Sequence, residues 1–132
     1  YTYNTENILE TIETTYPSQN EIFRFEYSIE NNLPVRRKFF KNGVLDSWED
    51  YSYDSTKPFK GFSPLAQNFY APELSGATPG FLLTGITYFD AAGIQQGKRT
   101  YTADFNPAGY CIAYTGFNPG DNSSFTFQFN FK

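Results

Sequence analysis

The stretch Phe39-Phe40-Lys41-Asn42-Gly43-Val44-Leu45 carries the strongest structural signal of this chain, two short apolar runs separated by Asn-Gly. Asn and Gly adopt positive φ angles at low cost, and a two-residue type I′ hairpin turn requires them at both central positions. The stretch therefore predicts two antiparallel strands that meet at Asn42-Gly43. The returning strand is predicted to run from Val44 or Leu45 to Tyr53.

Aromatic residues extend this hairpin pattern along the chain. Phe, Tyr and Trp make up 20% of the 132 residues, alongside ten Gly and eight Pro. The pairs Tyr1-x-Tyr3, Phe25-x-Tyr27 and Tyr51-x-Tyr53 recur at intervals of roughly 25 residues, about the length that two short strands and their turns consume. The expected fold is one all-β domain over residues 1–132. It is an antiparallel meander of roughly eight to ten strands in a strongly curved or partly barrel-like sheet.

Two further segments, 89–94 and 105–110, share a turn pattern. Phe89-Asp90-Ala91-Ala92-Gly93-Ile94 and Phe105-Asn106-Pro107-Ala108-Gly109-Tyr110 both place Asp or Asn after an aromatic residue, and Gly three residues later. Asx residues and Gly tolerate the left-handed backbone of tight turns. We therefore expect two related hairpin turns.

The end of the chain and its long central connection differ in pattern. From Phe125 to Lys132, Phe alternates with polar residues, which predicts a half-buried antiparallel strand with one all-Phe face. Residues 55–80 hold four of the eight prolines and do not alternate. We expect them to form a long connection with one short helix at about 64–70, because Ser63-Pro64 can begin a helix.

Charge and hydropathy exclude several classes of protein. The chain carries ten basic and fourteen acidic residues, for a net charge of −4, whereas nucleic-acid binders need a positive surface. The basic run Arg36-Arg37-Lys38, with Lys41, is interpreted as the solvated end of a hairpin. No apolar run approaches the roughly 18 residues that cross a bilayer as a helix. A signal peptide is expected to precede Tyr1 and to have been removed.

Residues with catalytic or metal-binding chemistry are scarce. The chain has no His and one Cys, so it offers neither a zinc site nor a base to activate Cys111. Cys111 is predicted to be a small buried thiol. Glu49, Asp50 and Asp54 could in principle supply a glycosidase carboxylate pair, but neighbouring strand residues face opposite sides, and the run is interpreted as solvated. We expect no enzyme, no metal and no cofactor.

The strand that contains the single Trp provides the candidate binding site. Regular alternation places Leu45, Glu49, Tyr51 and Tyr53 on one face of this strand. The other face would then carry the candidate ligand-binding residues, which are Trp48, Asp46, Asp50 and Asp54. Carboxylates are costly to bury, so this face is expected to be wet, and an exposed aromatic ring there could stack on a sugar or a partner chain. Alternatively, a bulge near Ser47 or Asp50 turns Trp48 inward.

Three segments of the chain resemble the YD-repeat (Rhs-like) pattern, in which an aromatic-x-Tyr-Asp/Asn unit precedes a turn. They are Tyr1-Thr2-Tyr3-Asn4, Tyr51-Ser52-Tyr53-Asp54 and 88–94. The stretch 53–62 is similar to a junction of uncharacterised secreted lipoproteins from Gram-negative gut-type bacteria. This resemblance implies a secreted domain, periplasmic or anchored at the outer membrane or cell surface, with a lipid-bearing Cys before Tyr1. It implies no reaction.

Taken together, these features predict a non-catalytic cell-envelope domain with a binding role. Its partner would be an unknown protein, a glycan or an apolar ligand, and not a nucleic acid, and it would touch a membrane only through an upstream lipid anchor. A continuous apolar cavity in the concave face would favour a carrier of lipid or another apolar ligand. Exposed aromatic residues around Trp48 would favour a glycan-binding module.

Overall fold

A computed structural model describes residues 1–5, 9–31, 33–58 and 81–129 of the chain. In this part, nine antiparallel strands form one sheet in which each strand pairs with the next along the chain. The strands are β1 (Thr2–Tyr3), β2 (Leu9–Tyr16), β3 (Glu21–Glu30), β4 (Leu33–Lys41), β5 (Val44–Pro58), β6 (Phe81–Asp90), β7 (Gln95–Phe105), β8 (Cys111–Asn118) and β9 (Ser123–Gln128). The predicted all-β meander is therefore confirmed. Strands β1 and β9 are the two edges, so the described sheet is open.

Helical structure is sparse in the described ranges. A three-residue 3₁₀ helix, Pro17–Gln19, joins β2 to β3. The short helix predicted at about 64–70 lies outside the described residues. Within the part that the structure describes, no helix is long and apolar enough to cross a membrane.

The three predicted turns form as their sequences require. Asn42 and Gly43 have φ angles of 52° and 80°, as a type I′ turn needs. The side-chain oxygen of Asp90 accepts hydrogen bonds from the amides of residues 92 and 94, and that of Asn106 accepts the same two from residues 108 and 110. The two turns are related, as predicted, because an Asx side chain and a positive-φ glycine occupy equivalent places in both.

Register shifts interrupt most of the strand pairings. Six of the eight described pairings contain one, and bulges of this kind bend a strand and increase its twist. In the β4–β5 pairing, Phe40 faces Leu45 but Phe39 faces Ser47, so Asp46 is an extra residue. Leu45 thus lies on the face of Trp48, and its predicted grouping with Glu49 is wrong, because the bulge inverts the alternation at that point.

Most of the core lies on one face of the sheet, although the consecutive buried residues Leu82 and Leu83 point to opposite faces. We call the face that carries Tyr51 and its cross-strand partner Ile86 the inner face, and the opposite one, which carries Trp48, the outer face. The buried apolar residues are Leu9, Ile12, Tyr27, Tyr51, Leu82, Leu83, Ile86, Tyr101, Cys111 and Tyr114. Cys111 is 1% exposed, which confirms the predicted buried thiol, and burial raises its pKa.

Strand β9 confirms the predicted Phe face but not its depth. Phe125 and Phe127 pair with Gly116 and Tyr114 on one face, yet they remain 39% and 38% exposed. An edge strand has a neighbour on one side only, so its side chains are covered on one side only. The Phe face of β9 is therefore less deeply buried than the predicted strand required, and the last Phe of the pattern, Phe131, lies outside the described residues.

Candidate functional site

Strands β4 and β5 align two consecutive basic residues with two consecutive acidic ones. Arg36 faces Asp50, and Arg37 faces Glu49. Because neighbouring residues of a strand point to opposite faces, one ion pair forms on each face of the sheet. The interpretation of this basic run as a solvated hairpin end is wrong for Arg37, which is shielded inside β4, whereas Arg36 and Lys41, the last residue of β4 before the turn, remain solvated.

The inner pair, Arg37–Glu49, is well shielded from solvent. The Arg37 Nη2 atom donates to Glu49 Oε1 at 2.7 Å, and the two side chains are 18% and 17% exposed. The Tyr51 hydroxyl donates to Glu49 Oε2, also at 2.7 Å. Both carboxylate oxygens therefore accept a short hydrogen bond, which is the arrangement that offsets the cost of removing a charge from water. Glu49, expected to be solvated, is instead held inside.

The inner pair belongs to a longer row of side chains that crosses the sheet. Its members are successive cross-strand partners from β3 to β7: Tyr27, Arg37, Glu49, Tyr88 and Gly97. We call this set the inner row. It ends at a glycine, which leaves that end of the row without a side chain.

Beside the inner row, aromatic rings and the ion pair line a shallow concavity of about 260 Å³. The Arg37 guanidinium lies 5.4 Å from the centroid of the Phe25 ring, and Phe25 stacks on Phe39 with centroids 5.1 Å apart. This cation–π and ring contact adds to the stabilisation of Arg37. The concavity therefore combines apolar ring surface with a charged pair.

Burial sets the protonation of the tyrosines on and near the inner row. It raises the pKa of Tyr27, Tyr51 and Tyr88 above the ordinary value. Burial alone would lower the pKa of Arg37, but the neighbouring Tyr51, Glu49 and Tyr27 raise it overall. These shifts move away from neutral pH, so the phenols stay protonated and the guanidinium stays charged. The row thus offers fixed hydrogen-bond donors and fixed charge.

The outer pair, Arg36–Asp50, is bidentate but more exposed. Arg36 Nε and Nη2 donate to the two Asp50 oxygens at 2.5 and 2.8 Å, and the side chains are 41% and 33% exposed. The hydrogen bond to Asp50 raises the pKa of Arg36. Arg36 also lies 5.8 Å from the ring centroid of Trp48, so the pair borders the predicted binding residue.

Trp48 is half-buried, whereas the sequence predicted a solvent-exposed ring. It stacks on its cross-strand partner Phe89 with ring centroids 5.2 Å apart. The turn after β6 also approaches it, because a Cβ placed on Gly93 would lie 3.3 Å from the indole ring. The indole nitrogen is buried and has no hydrogen-bond acceptor among the described residues. A ligand-binding role for Trp48 stays a prediction.

The four candidate residues are only partly brought together. Asp50 lies on the outer face with Trp48, as predicted, and Arg36 links the two. Asp46 is the bulge residue, and its carboxylate accepts a hydrogen bond from the Ser47 hydroxyl. Asp54 accepts from the amide and hydroxyl of Thr56 at 2.9 and 2.6 Å. Asp54 therefore organises local backbone, and Asp46 contacts the side chain of its neighbour Ser47.

Sequence reasoning missed the partners of the two arginines. The signal was available, because the Asn42-Gly43 turn determines which residues of β4 and β5 face each other. Counting outward from that turn, with one residue allowed for a bulge, matches Arg36-Arg37 with Glu49-Asp50. Opposite charges that face each other across a strand pair stabilise that register.

Comparison with known proteins yields a likeness of fold. No protein-family model matches the chain. No curated protein matches it either. A porin-like protein from Bacteroides uniformis, a gut bacterium, has a similar crystal structure, with a TM-score of 0.51 and 13% sequence identity. The match covers 96% of this chain and 66% of the porin-like protein, so the chain spans slightly less than two thirds of that protein's length. At this identity the chain is similar to the porin-like protein in fold alone.

Proposed function

We propose that this chain is an envelope-associated domain whose role is to bind a ligand or partner and not to catalyse a reaction. The observation that carries the proposal is the likeness to the porin-like protein over 96% of the chain. A porin-like fold points to the cell envelope, and the YD-repeat-like segments point to the same place. Both lines of support are consistent with a secreted lipoprotein anchored through a Cys before Tyr1.

The chemistry of the described side chains supports binding over catalysis. The tyrosines of the inner row have pKa values that are raised away from neutral pH, chiefly by burial. Burial likewise raises the pKa of Cys111, which disfavours the thiolate that a nucleophile needs. These groups are suited to holding hydrogen bonds and packing, which is what a binding domain requires.

Among the binding roles, a glycan-binding module is the second candidate. Phe25 and Phe39 line the 260 Å³ concavity together with the Arg37–Glu49 pair, and sugar-binding sites combine ring surface with charged hydrogen-bonding groups in this way. A lipid carrier has less support in the described part of the chain, because two further concavities there, of 360 and 370 Å³, are bordered by charged side chains such as Arg99 and Asp50.

Fractionation of native cells tests the proposal. The full-length protein should be recovered with the outer membrane or the periplasm, and growth with a labelled fatty acid should label it if a lipid anchor is present. A protein recovered with the cytosol would overturn envelope association. If the protein is recovered with the envelope but stays unlabelled, the proposed location stands and the proposed lipid anchor is wrong.

A further inference from the structure

Arg99 differs from the other three arginines of the chain in its electrostatic partners. Arg24, Arg36 and Arg37 each lie within 3.0 Å of a carboxylate oxygen. Arg99 has no carboxylate within 4.0 Å among the described residues. Its guanidinium therefore has charge and hydrogen-bonding capacity that no carboxylate in this part of the chain uses directly.

Arg99 lies in a concavity of about 360 Å³ at one side of the inner face. It pairs with Ile86 across β6 and β7, which places its side chain on the inner face. The lining residues are Tyr88, Gln96, Gly97, Lys98, Arg99, Asn118, Gly120 and Asp121. This volume is at the small end of ligand sites, which span roughly 300–1,000 Å³. We call this concavity the Arg99 site.

Neighbouring aromatic groups hold the Arg99 guanidinium in place. Burial alone would lower its pKa, but Tyr88, a hydrogen bond with Tyr101 and the Asp121 charge raise it overall. The guanidinium lies 5.9 Å from the Phe125 ring centroid, and the Phe125 ring is packed directly over Gly116. A guanidinium positioned in this way presents its planar fork with little loss of freedom on binding.

Two amides of the Arg99 site have complementary groups left for a ligand. Asn118 uses its carbonyl oxygen to accept from the Gly120 amide at 3.1 Å, which leaves its NH₂ group as a donor. Gln96 uses its NH₂ group to donate to Asp90 at 2.6 Å, which leaves its carbonyl oxygen as an acceptor. Gly97, opposite Tyr88, has no side chain to cover the tyrosine ring. A polyhydroxylated ring could use all three features.

We propose that the Arg99 site binds a small acidic sugar, with the sugar carboxylate held by the Arg99 guanidinium. Arginine recognises carboxylates through two parallel N–H···O bonds. The hydroxyl groups of the sugar would meet Asn118 and Gln96, and its ring would lie on Tyr88. Arg99 supplies the positive charge of the site and Asp121 an opposing negative charge, because the neighbouring Lys98 pairs with Thr87 and points to the outer face.

Calorimetric titration of the 132-residue chain with glucuronate tests this proposal, with glucose and inorganic phosphate as comparison ligands. Glucuronate should bind at concentrations up to about 10 mM, since an open site of this size is expected to have a Kd of about 1 mM, whereas glucose and phosphate should bind much more weakly. No heat of binding with glucuronate, or equal binding of phosphate, would overturn the proposal.

Three variants locate the ligand. Arg99→Gln should weaken glucuronate binding about tenfold or more, because a hydrogen-bonded charge is lost, and Arg36→Gln on the outer face should leave it unchanged. Asp121→Asn removes the repelling charge and should tighten binding about two- to fivefold. Asp121 is fully exposed, so this variant tests the site even if Arg99→Gln fails to fold. If neither Arg99→Gln nor Asp121→Asn changes the affinity for glucuronate, the proposal is contradicted. Glucuronate binding does not depend on cellular location. The proposal of a sugar site can therefore be wrong while the proposal of envelope association stands.

Discussion

The two ion pairs between β4 and β5 use the same kinds of residue at adjacent positions and lie in different environments. Arg37–Glu49 is on the inner face, with both side chains less than one fifth exposed, while Arg36–Asp50 is on the outer face and about twice as exposed. The inner carboxylate also accepts a tyrosine hydroxyl. The outer pair has better geometry, with two hydrogen bonds between the same two residues.

This difference shows that burial, more than geometry, decides what an ion pair contributes. An exposed pair gains little from its Coulomb attraction because water and salt screen it. The attraction and hydrogen bonds of a shielded pair offset its desolvation only while both partners are present. Removing one partner therefore lowers the free energy of unfolding strongly. The inner pair should therefore control stability, and the outer pair should not.

The largest expected effect is alkaline unfolding that begins at the inner face. Folding raises the pKa of Tyr27, Tyr51, Tyr53, Tyr88, Tyr101 and Tyr114, chiefly by burial. Unfolded tyrosines lose their proton near pH 10. Above that pH the unfolded state binds fewer protons than the folded state, so stability is full below about pH 10 and falls as the pH rises further.

Ultraviolet absorbance of phenolate and circular dichroism, followed together, check this expectation. These six tyrosines should ionise only together with loss of β structure. Ionisation of the six buried tyrosines with the fold intact would contradict the shielding of the inner face.

Glu49→Gln should produce the next largest effect, a loss of about 3–5 kcal/mol in the free energy of unfolding, because it removes the carboxylate charge that pairs with the shielded Arg37 guanidinium. Chemical denaturation measures it. The double variant Arg37→Met with Glu49→Leu removes both charges and should recover most of the loss. If Glu49→Gln and the double variant are equally destabilised, packing at these positions and not an unpaired charge is the cause.

The sequence predicted the turns well because turns are local. Asn42-Gly43 and the two Asx-Gly turns depend on the φ preferences and side-chain hydrogen bonds of four to six consecutive residues. The meander followed from these turns. The alternation of Phe125 and Phe127 was also correct, but its exposure depended on β9 being an edge strand, which no residue of β9 itself encodes.

The candidate site was predicted less well because its geometry depends on neighbouring strands. The bulge at Asp46 inverts the side to which Leu45 points, and a single extra residue leaves no clear mark in an alternating sequence. Trp48 is covered by Phe89 and by the turn at Gly93, about 40 residues further along the chain, so its own neighbours could not reveal this. Side-chain alternation did predict that Glu49 and Asp50 face opposite sides.

The smallest expected effect is that of Asp50→Asn, the outer-face equivalent of Glu49→Gln. The substitution keeps the shape of the side chain and removes its charge from a pair whose partners are 41% and 33% exposed. Surface pairs contribute about 0–1 kcal/mol, so the free energy of unfolding should fall by less than about 1 kcal/mol, and added salt should reduce even this difference. Because Arg36 lies near the Trp48 ring, release of Arg36 from Asp50 should be visible as a change in Trp48 fluorescence while the fold is retained. A loss as large as that of Glu49→Gln would mean that the two faces of β4 and β5 shield their ion pairs equally, and that the outer surface around Trp48 is closed to solvent and to any ligand.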